Sequence, residues 1–257
     1  MLAASYSDTI GKPGTASNLL KIGGDTQAPT LSISSDRPSL KAGETATINF
    51  SFNETPLGFG LDDLIVSGGT LDNLSRGSDP LSYTARFTPE AGNNTLKANI
   101  QIDNEAFFDA AGNPGTASQA LLLSGDTLLP GLTLGSDKTR LKTGETATLT
   151  FNFTEMPSGF DLSDIVVTGG SLGTLNGNGL TRTALFTPTA NSNNVAASVS
   201  VAAGSYTDTA GNNGLASNAV SLTADTLAPG LTISSDKISL KAGDNSILTP
   251  RCPDLRE

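Results

Sequence analysis

The side chains best placed to do chemistry in this sequence are acids that recur in a repeated setting. Asp25 stands in GGDTQAP, Glu54 closes FSFNE, and Asp109 lies in FFDAAGN. Asp126, Glu155 and Asp208 occupy the same settings a second time, in SGDTLLP, FNFTE and YTDTAGN. Carboxylates drawn together repel, and a hard cation relieves the repulsion; Ca²⁺ takes 6–8 oxygen ligands from carboxylates, carbonyls and water. Other chemistries find less support. The 257 residues include no His, which removes imidazole-based triads and His-ligated metals. The single Cys, Cys252, allows neither an internal disulfide nor a Cys-built zinc site. Ser and Thr are plentiful, but a nucleophile needs a base and an orienting partner. A glycosidase-like carboxylate pair suits one cleft poorly when the acids recur in each repeat. No phosphate-cradling loop and no EF-hand loop is present. The chain reads as not an enzyme.

The elements that must position these acids follow from self-similarity. Three stretches begin alike: DTQAPTLSISSDRPSLKAGET at Asp25, DTLLPGLTLGSDKTRLKTGET at Asp126 and DTLAPGLTISSDKISLKAGDN at Asp225. Their spacings are 101 and 99 residues. A second marker, YSDTIGK, FFDAAGN and YTDTAGN, keeps the same phase. The difference in repeat length falls in SRGSDP (75–80) against NGNG (176–179), which are turn formers. Within a repeat the pattern has period two. TATINFSF puts Ala46, Ile48, Phe50 and Phe52 on one face, and TATLTFNF repeats this. LKANIQI and VAASVSV alternate likewise. Such alternation predicts half-buried antiparallel strands, and no segment has helical periodicity. Seven strands are expected in the first full repeat, at 30–34, 45–52, 61–67, 69–74, 81–88, 95–102 and 115–123. Seven short strands in a repeat of this length predict an immunoglobulin-like sandwich without the Cys–Trp–Cys core. Phe50, Phe52, Phe59 and Phe87, with Phe151, Phe153, Phe160 and Phe186, are the expected core aromatics.

The fold class is therefore all-β: tandem immunoglobulin-like β-sandwich domains with partial repeats at both ends. The expected divisions are a C-terminal remnant of a preceding repeat at 1–24, Ig-like domains at 25–125 and 126–224, an N-terminal remnant of a further repeat at 225–244, and a non-repeat tail at 245–257. Residues 1–24 supply a loop and a lone last strand. After Asp244 the alternation fails, with Pro250 and Pro253 in the tail. These ends read as parts of a longer, interrupted repeat array.

Chain direction in an Ig sandwich places the N-terminal linker, the loop after the second long strand and the loop before the last strand at one pole. Asp25, Glu54 and Asp109 should meet there in the first repeat, and Asp126, Glu155 and Asp208 in the second. The same residues also suit plain turns, with Asp capping and Gly or Asn taking positive φ. Both readings stand on the sequence. Asp8 and Asp225 are incomplete versions of the same site, and Asp63 and Asp164 are lesser candidates that suit the end of a loop.

The motifs DT-x-AP, SSDK-x-SLKAGETAT, F-x-F-x-E, DI-x-VTGG, FTPT and Y-x-D-x-AGN resemble the bacterial Ig-like repeats of large surface adhesins, of the biofilm-associated and type I-secreted kind. The resemblance spans residues 1 to about 244. It implies extracellular spacer repeats that project a binding region, with Ca²⁺ at domain junctions. It also implies a secreted or cell-surface location and neighbouring Ig-like repeats as partners. Two further functions stay open: a module binding a host or matrix glycan or protein, and an accessory region of a secreted hydrolase. A net charge of −10 argues against nucleic acid as a partner. No apolar run is long enough for a membrane span. MLAASYSDTIGK lacks the basic start and apolar core of a signal peptide. The sequons NET, NLS, NNT and NFT carry little weight in so Thr-rich a chain.

Overall fold

The computed structural model describes residues 2–252. Contacts group the chain into two compact units: Met1–Pro38, Thr45–Pro89 and Lys97–Ser124 in one, and Ser39–Glu44, Glu90–Leu96 and Gly125–Glu257 in the other. The sheets form two sandwiches built to one plan. The first uses β1 (Leu31–Ser35), β2 (Ser39–Lys41), β3 (Ala46–Phe52), β4 (Leu64–Ser67), β5 (Gly69–Arg76), β6 (Ser82–Pro89), β7 (Leu96–Ile102) and β8 (Leu121–Asp126). One sheet has the order β1-β3-β6-β5 and the other β2-β8-β7-β4. The second uses β9 (Leu132–Ser136), β10 (Arg140–Lys142), β11 (Ala147–Phe153), β12 (Ile165–Thr168), β13 (Gly170–Leu172), β14 (Thr181–Pro188), β15 (Val195–Val201) and β16 (Val220–Asp225). Its sheets are β9-β11-β14-β13 and β10-β16-β15-β12.

The expected alternation is the one that packs. Ala46, Ile48, Phe50 and Phe52 of β3 are all buried, as are Ala147, Leu149, Phe151 and Phe153 of β11. From the facing sheets come Leu96, Ala98, Ile100 and Ile102 of β7, and Val195, Ala197, Val199 and Val201 of β15. Each fully buried Phe contributes on the order of 1.5–3 kcal/mol. Phe59 and Phe160 are only half-buried, at the sandwich mouth. Phe59 meets Phe52 edge-on at 4.9 Å, and Phe160 meets Phe153 likewise. Two aromatics outside the expected core list complete it: Phe107 packs on Phe52 at 5.2 Å, and Tyr206 on Phe153 at 5.2 Å.

Several boundaries differ from the sequence reading, each for a local reason. The strand expected at 61–67 begins with a 3₁₀ turn, Leu61–Asp63, and only 64–67 is extended. The strand expected at 115–123 runs from Leu121 to Asp126. Upstream of it Gly115 lies against the Phe107 ring, its N–H donating to the Phe107 carbonyl instead of to a ladder. A Cβ at Gly115 would sit 2.5 Å from that ring. β2 and β10 went unread because three residues carry no period; β10 pairs with β16 in parallel. β5 continues past a bulge between Asp72 and Ser75, whereas β13 stops at Leu172. The length difference therefore falls partly in a strand end, not only in a turn.

Residues 2–24 form no strand beyond a single Ser7–Pro13 bridge, so the last strand expected there is not made. Beyond Asp244, in the segment read as a non-repeat tail, β18 (Leu248–Arg251) pairs with β17 (Thr232–Ser235). Thr232 faces Arg251, the register in which Ser32 faces Ser51 and Thr133 faces Asn152. Backbone pairing thus persists where side-chain alternation is lost. Met1 and residues 253–257, with Pro253, lie outside the described residues. Among the described residues, no helix is long and apolar enough to cross a membrane.

Candidate metal centre

Three loops of the first sandwich supply the cluster. Asp25 lies in the segment leading to β1, Glu54 follows β3, and Asp109 sits in the loop after β7. One carboxylate oxygen from each lies within 4.8 Å of the other two. Among the described residues this is the group of acids that comes so close, and none of the three is in a salt bridge. Asp109 is only 2% exposed. One of its oxygens accepts the Asn113 backbone N–H at 2.8 Å and the other the Asn113 side-chain amide at 2.6 Å. The same amide donates to the Asp25 carbonyl at 3.1 Å. Asp25 closes a turn of its own by accepting the Gln27 N–H at 3.0 Å.

The charges respond accordingly. Burial raises the Glu54 carboxyl above its ordinary value, and the Asp109 and Asp25 charges add to the rise. Burial acts to raise Asp109 as well, but the hydrogen bonds from Asn113 and the adjoining backbone outweigh it and hold the group low. Thus hydrogen bonding favours the charged form of Asp109, while burial and like charge disfavour that of Glu54. Three carboxylates of this kind suit Ca²⁺, whose partners are hard oxygens.

The second sandwich repeats the chemistry with a different spacing. Asp208 is 3% exposed and accepts both the backbone N–H and the side-chain amide of Asn212. That amide also donates to the Asp126 carbonyl at 3.1 Å, and Asp126 accepts the Leu128 N–H. Glu155 Oε2 is sealed from solvent and has no hydrogen-bond partner among the described residues. Burial raises its carboxyl, and Asp126 and Asp208 add to the rise. These three acids feel one another without drawing as close as the first set.

The turn role and the clustering coexist, because the bonds to Asn113 and Asn212 that make the turns also aim the acids. Those two asparagines were missed in the sequence reading. The available signal was the last residue of AGN in both complete repeats, replaced by Lys12 in YSDTIGK. There Asp8 accepts the Ile10 and Lys12 backbone N–H groups. Asp225 accepts the Leu227 N–H, as an isolated turn. Asp63 and Asp164 cap the 3₁₀ turns, accepting the Gly60 and Asp161 N–H groups at 2.7 Å each. Of the two adjacent aromatics in FFDAAGN, Phe107 lies inside and Phe108 is exposed. In the second copy Tyr206 is buried and its hydroxyl donates to the Pro130 carbonyl at 3.1 Å. Burial pushes that phenol up to about 12.

A pH prediction follows. Because the folded value of Glu54 lies above 4.5, the folded protein holds more protons there than the unfolded chain, and stability rises as pH falls toward 4.5. Asp109, held low, contributes stability that is lost as pH drops through its folded value, below 3.8. In chelator, melting temperature should climb on acidification from pH 7 toward 4.5. Glu54→Gln should raise stability at pH 7 and flatten the Glu54 part of that climb. A variant that melts lower than the parent at pH 7 would contradict the repulsion argument.

Two-sheet sandwiches with this strand order define the immunoglobulin-like class. The chain belongs to the bacterial Ig-like domain family, whose profile matches residues 25–123 and again 126–224. No curated protein matches it. Among solved structures, the Yersinia pseudotuberculosis adhesin InvE is 14% identical over 75% of this chain, with a TM-score of 0.29. This chain spans 58% of that one. The titin I-band fragment I67–I69 is 8% identical over 89% of this chain and 78% of its own, with a TM-score of 0.37. The titin I9–I11 tandem is 9% identical over 79% and 68%, with a TM-score of 0.30.

Proposed function

We propose that these repeats are extracellular spacers of a bacterial surface adhesin, projecting a binding region carried elsewhere, and that Ca²⁺ bound at the loop acids stiffens them. The observation that carries the cation is the meeting of Asp25, Glu54 and Asp109 within 4.8 Å. A cation held there ties the segment entering the sandwich to two of its loops, so the linker loses freedom to swing. Asp126, Glu155 and Asp208 do the same for the next repeat. Tandem repeats derive their stiffness from such nearest-neighbour restraints. Support for a spacer over a glycan-binding module comes from the aromatics: Tyr6 and Phe108 are the exposed rings among the described residues, and neither belongs to a platform. The acidic surface, at −10, keeps neighbouring fibres apart.

Small-angle scattering with millimolar CaCl₂ and with chelator tests the stiffening. The expected result is a narrower distribution of interdomain distances with Ca²⁺ while both sandwiches stay folded. Superimposable profiles would remove the stiffening role.

A further inference from the structure

The residue after each linker aspartate is a threonine, and in two copies it is plugged into the preceding β-sandwich. Thr127 is 4% exposed and Thr226 6%. The Thr127 hydroxyl donates to the Glu90 carbonyl at 2.6 Å and accepts the Asn93 N–H at 3.1 Å. Its backbone N–H donates to the Asn93 carbonyl at 2.8 Å, and its carbonyl accepts the Gly92 N–H. Thr226 repeats the pattern on Thr189 and Ser192: its hydroxyl donates to the Thr189 carbonyl at 2.7 Å and accepts the Ser192 N–H at 3.0 Å. Glu90, Asn93, Asp126, Thr127 and Asn212 all belong to one compact unit. Every polar atom of Thr127 is therefore used. Thr26, in the same place beside Asp25, is exposed.

We propose that Thr127 is the positioning residue of the second acid cluster: its buried hydroxyl fixes the linker so that Asp126 presents its carbonyl to Asn212 and its carboxylate to Glu155 and Asp208. Asp126 is adjacent in the chain, so pinning Thr127 leaves it little freedom. Thr226 fixes Asp225 in the same way. The role in cation binding rests on the reading above, but the placement of Asp126 does not require the cation.

The test compares Thr127→Val, which keeps the shape and removes the hydroxyl, with Thr127→Ser, which keeps it. Nuclear magnetic resonance of the full chain follows the side-chain amides of Asn113 and Asn212, one beside each cluster, first in chelator and then through a CaCl₂ titration. In chelator, the Asn212 amide should be slow to exchange in the parent and in Thr127→Ser, and fast in Thr127→Val, with Asn113 unchanged in all three. In the titration, Ca²⁺ affinity reported by Asn212 should fall about tenfold in Thr127→Val, the scale of one buried hydrogen bond, while that reported by Asn113 holds. If the Asn212 amide and its Ca²⁺ response are the same in Thr127→Val as in the parent, the positioning role is overturned. If no form responds to Ca²⁺ at either amide, the cation reading of the function fails, and the chelator data alone decide whether Thr127 places Asp126.

Discussion

Phe151→Ala is expected to cost the second sandwich about 3–5 kcal/mol, the usual range for a buried Phe truncated in place. Phe151 is fully buried at the middle of β11, and it touches Phe160 at 5.6 Å. Its strand is held on both sides, by β9 and by β14, so the backbone has little room to collapse into the void. For a domain of about 100 residues, each kcal/mol moves the melting temperature by roughly 4–8 °C. Calorimetry should therefore show a transition lowered by more than about 12 °C, with amide exchange accelerating through β9 to β16. Amides of β3 and β7, in the first sandwich, report independently, because their core rests on Phe50 and Phe87. A loss below about 1 kcal/mol would mean that the two sheets close over the missing ring, and that the packing described is not what holds them.

Asp109→Ala should abolish the Ca²⁺ response of the first cluster and also destabilise the protein without Ca²⁺. The first effect follows from removing one of three carboxylates. At the weak affinities usual for extracellular modules, about 10⁻⁴–10⁻³ M, that loss takes binding out of the millimolar range. The second follows from the bonds to Asn113. Truncation leaves the Asn113 backbone N–H without its acceptor and the side-chain amide with the Asp25 carbonyl alone, at a half-buried position, so the melting temperature in chelator falls. Glu54→Gln gives the opposite sign in chelator, because it relieves repulsion, yet it shares the loss of Ca²⁺ binding. Isothermal titration with CaCl₂ and thermal melts in chelator separate the two. Should both variants bind Ca²⁺ as the parent does, the cluster is not the site. Should both destabilise the chelated protein alike, the acids serve only as turn formers.

Much of the fold was legible in the residues because one face of each long strand is buried. Alternation in 46–52, 96–102, 147–153 and 195–201 comes from that one-sided burial, and it fixed both period and facing. What escaped was structure made by distant partners. β2 and β10 are too short to show a period, and their neighbours β8 and β16 lie some eighty residues on. The start of β8 is set by Gly115 lying on Phe107, which no local pattern announces. β18 carries Pro250 and lacks an alternating apolar set, yet pairs in the register of its counterparts.

The acids divide along the same line. Their type, order and recurrence follow from the chain alone, and with the direction of an Ig sandwich that suffices to bring Asp25, Glu54 and Asp109 to one pole. Only tertiary structure decided that the first set closes to within 4.8 Å and the second does not, and that Asn113 and Asn212 are the groups that aim them. The reason is geometric. Repetition of sequence reproduces which loops meet, but the last few ångströms between their side chains depend on hydrogen bonds made across separations of 86 and 88 residues, to which a local pattern is blind.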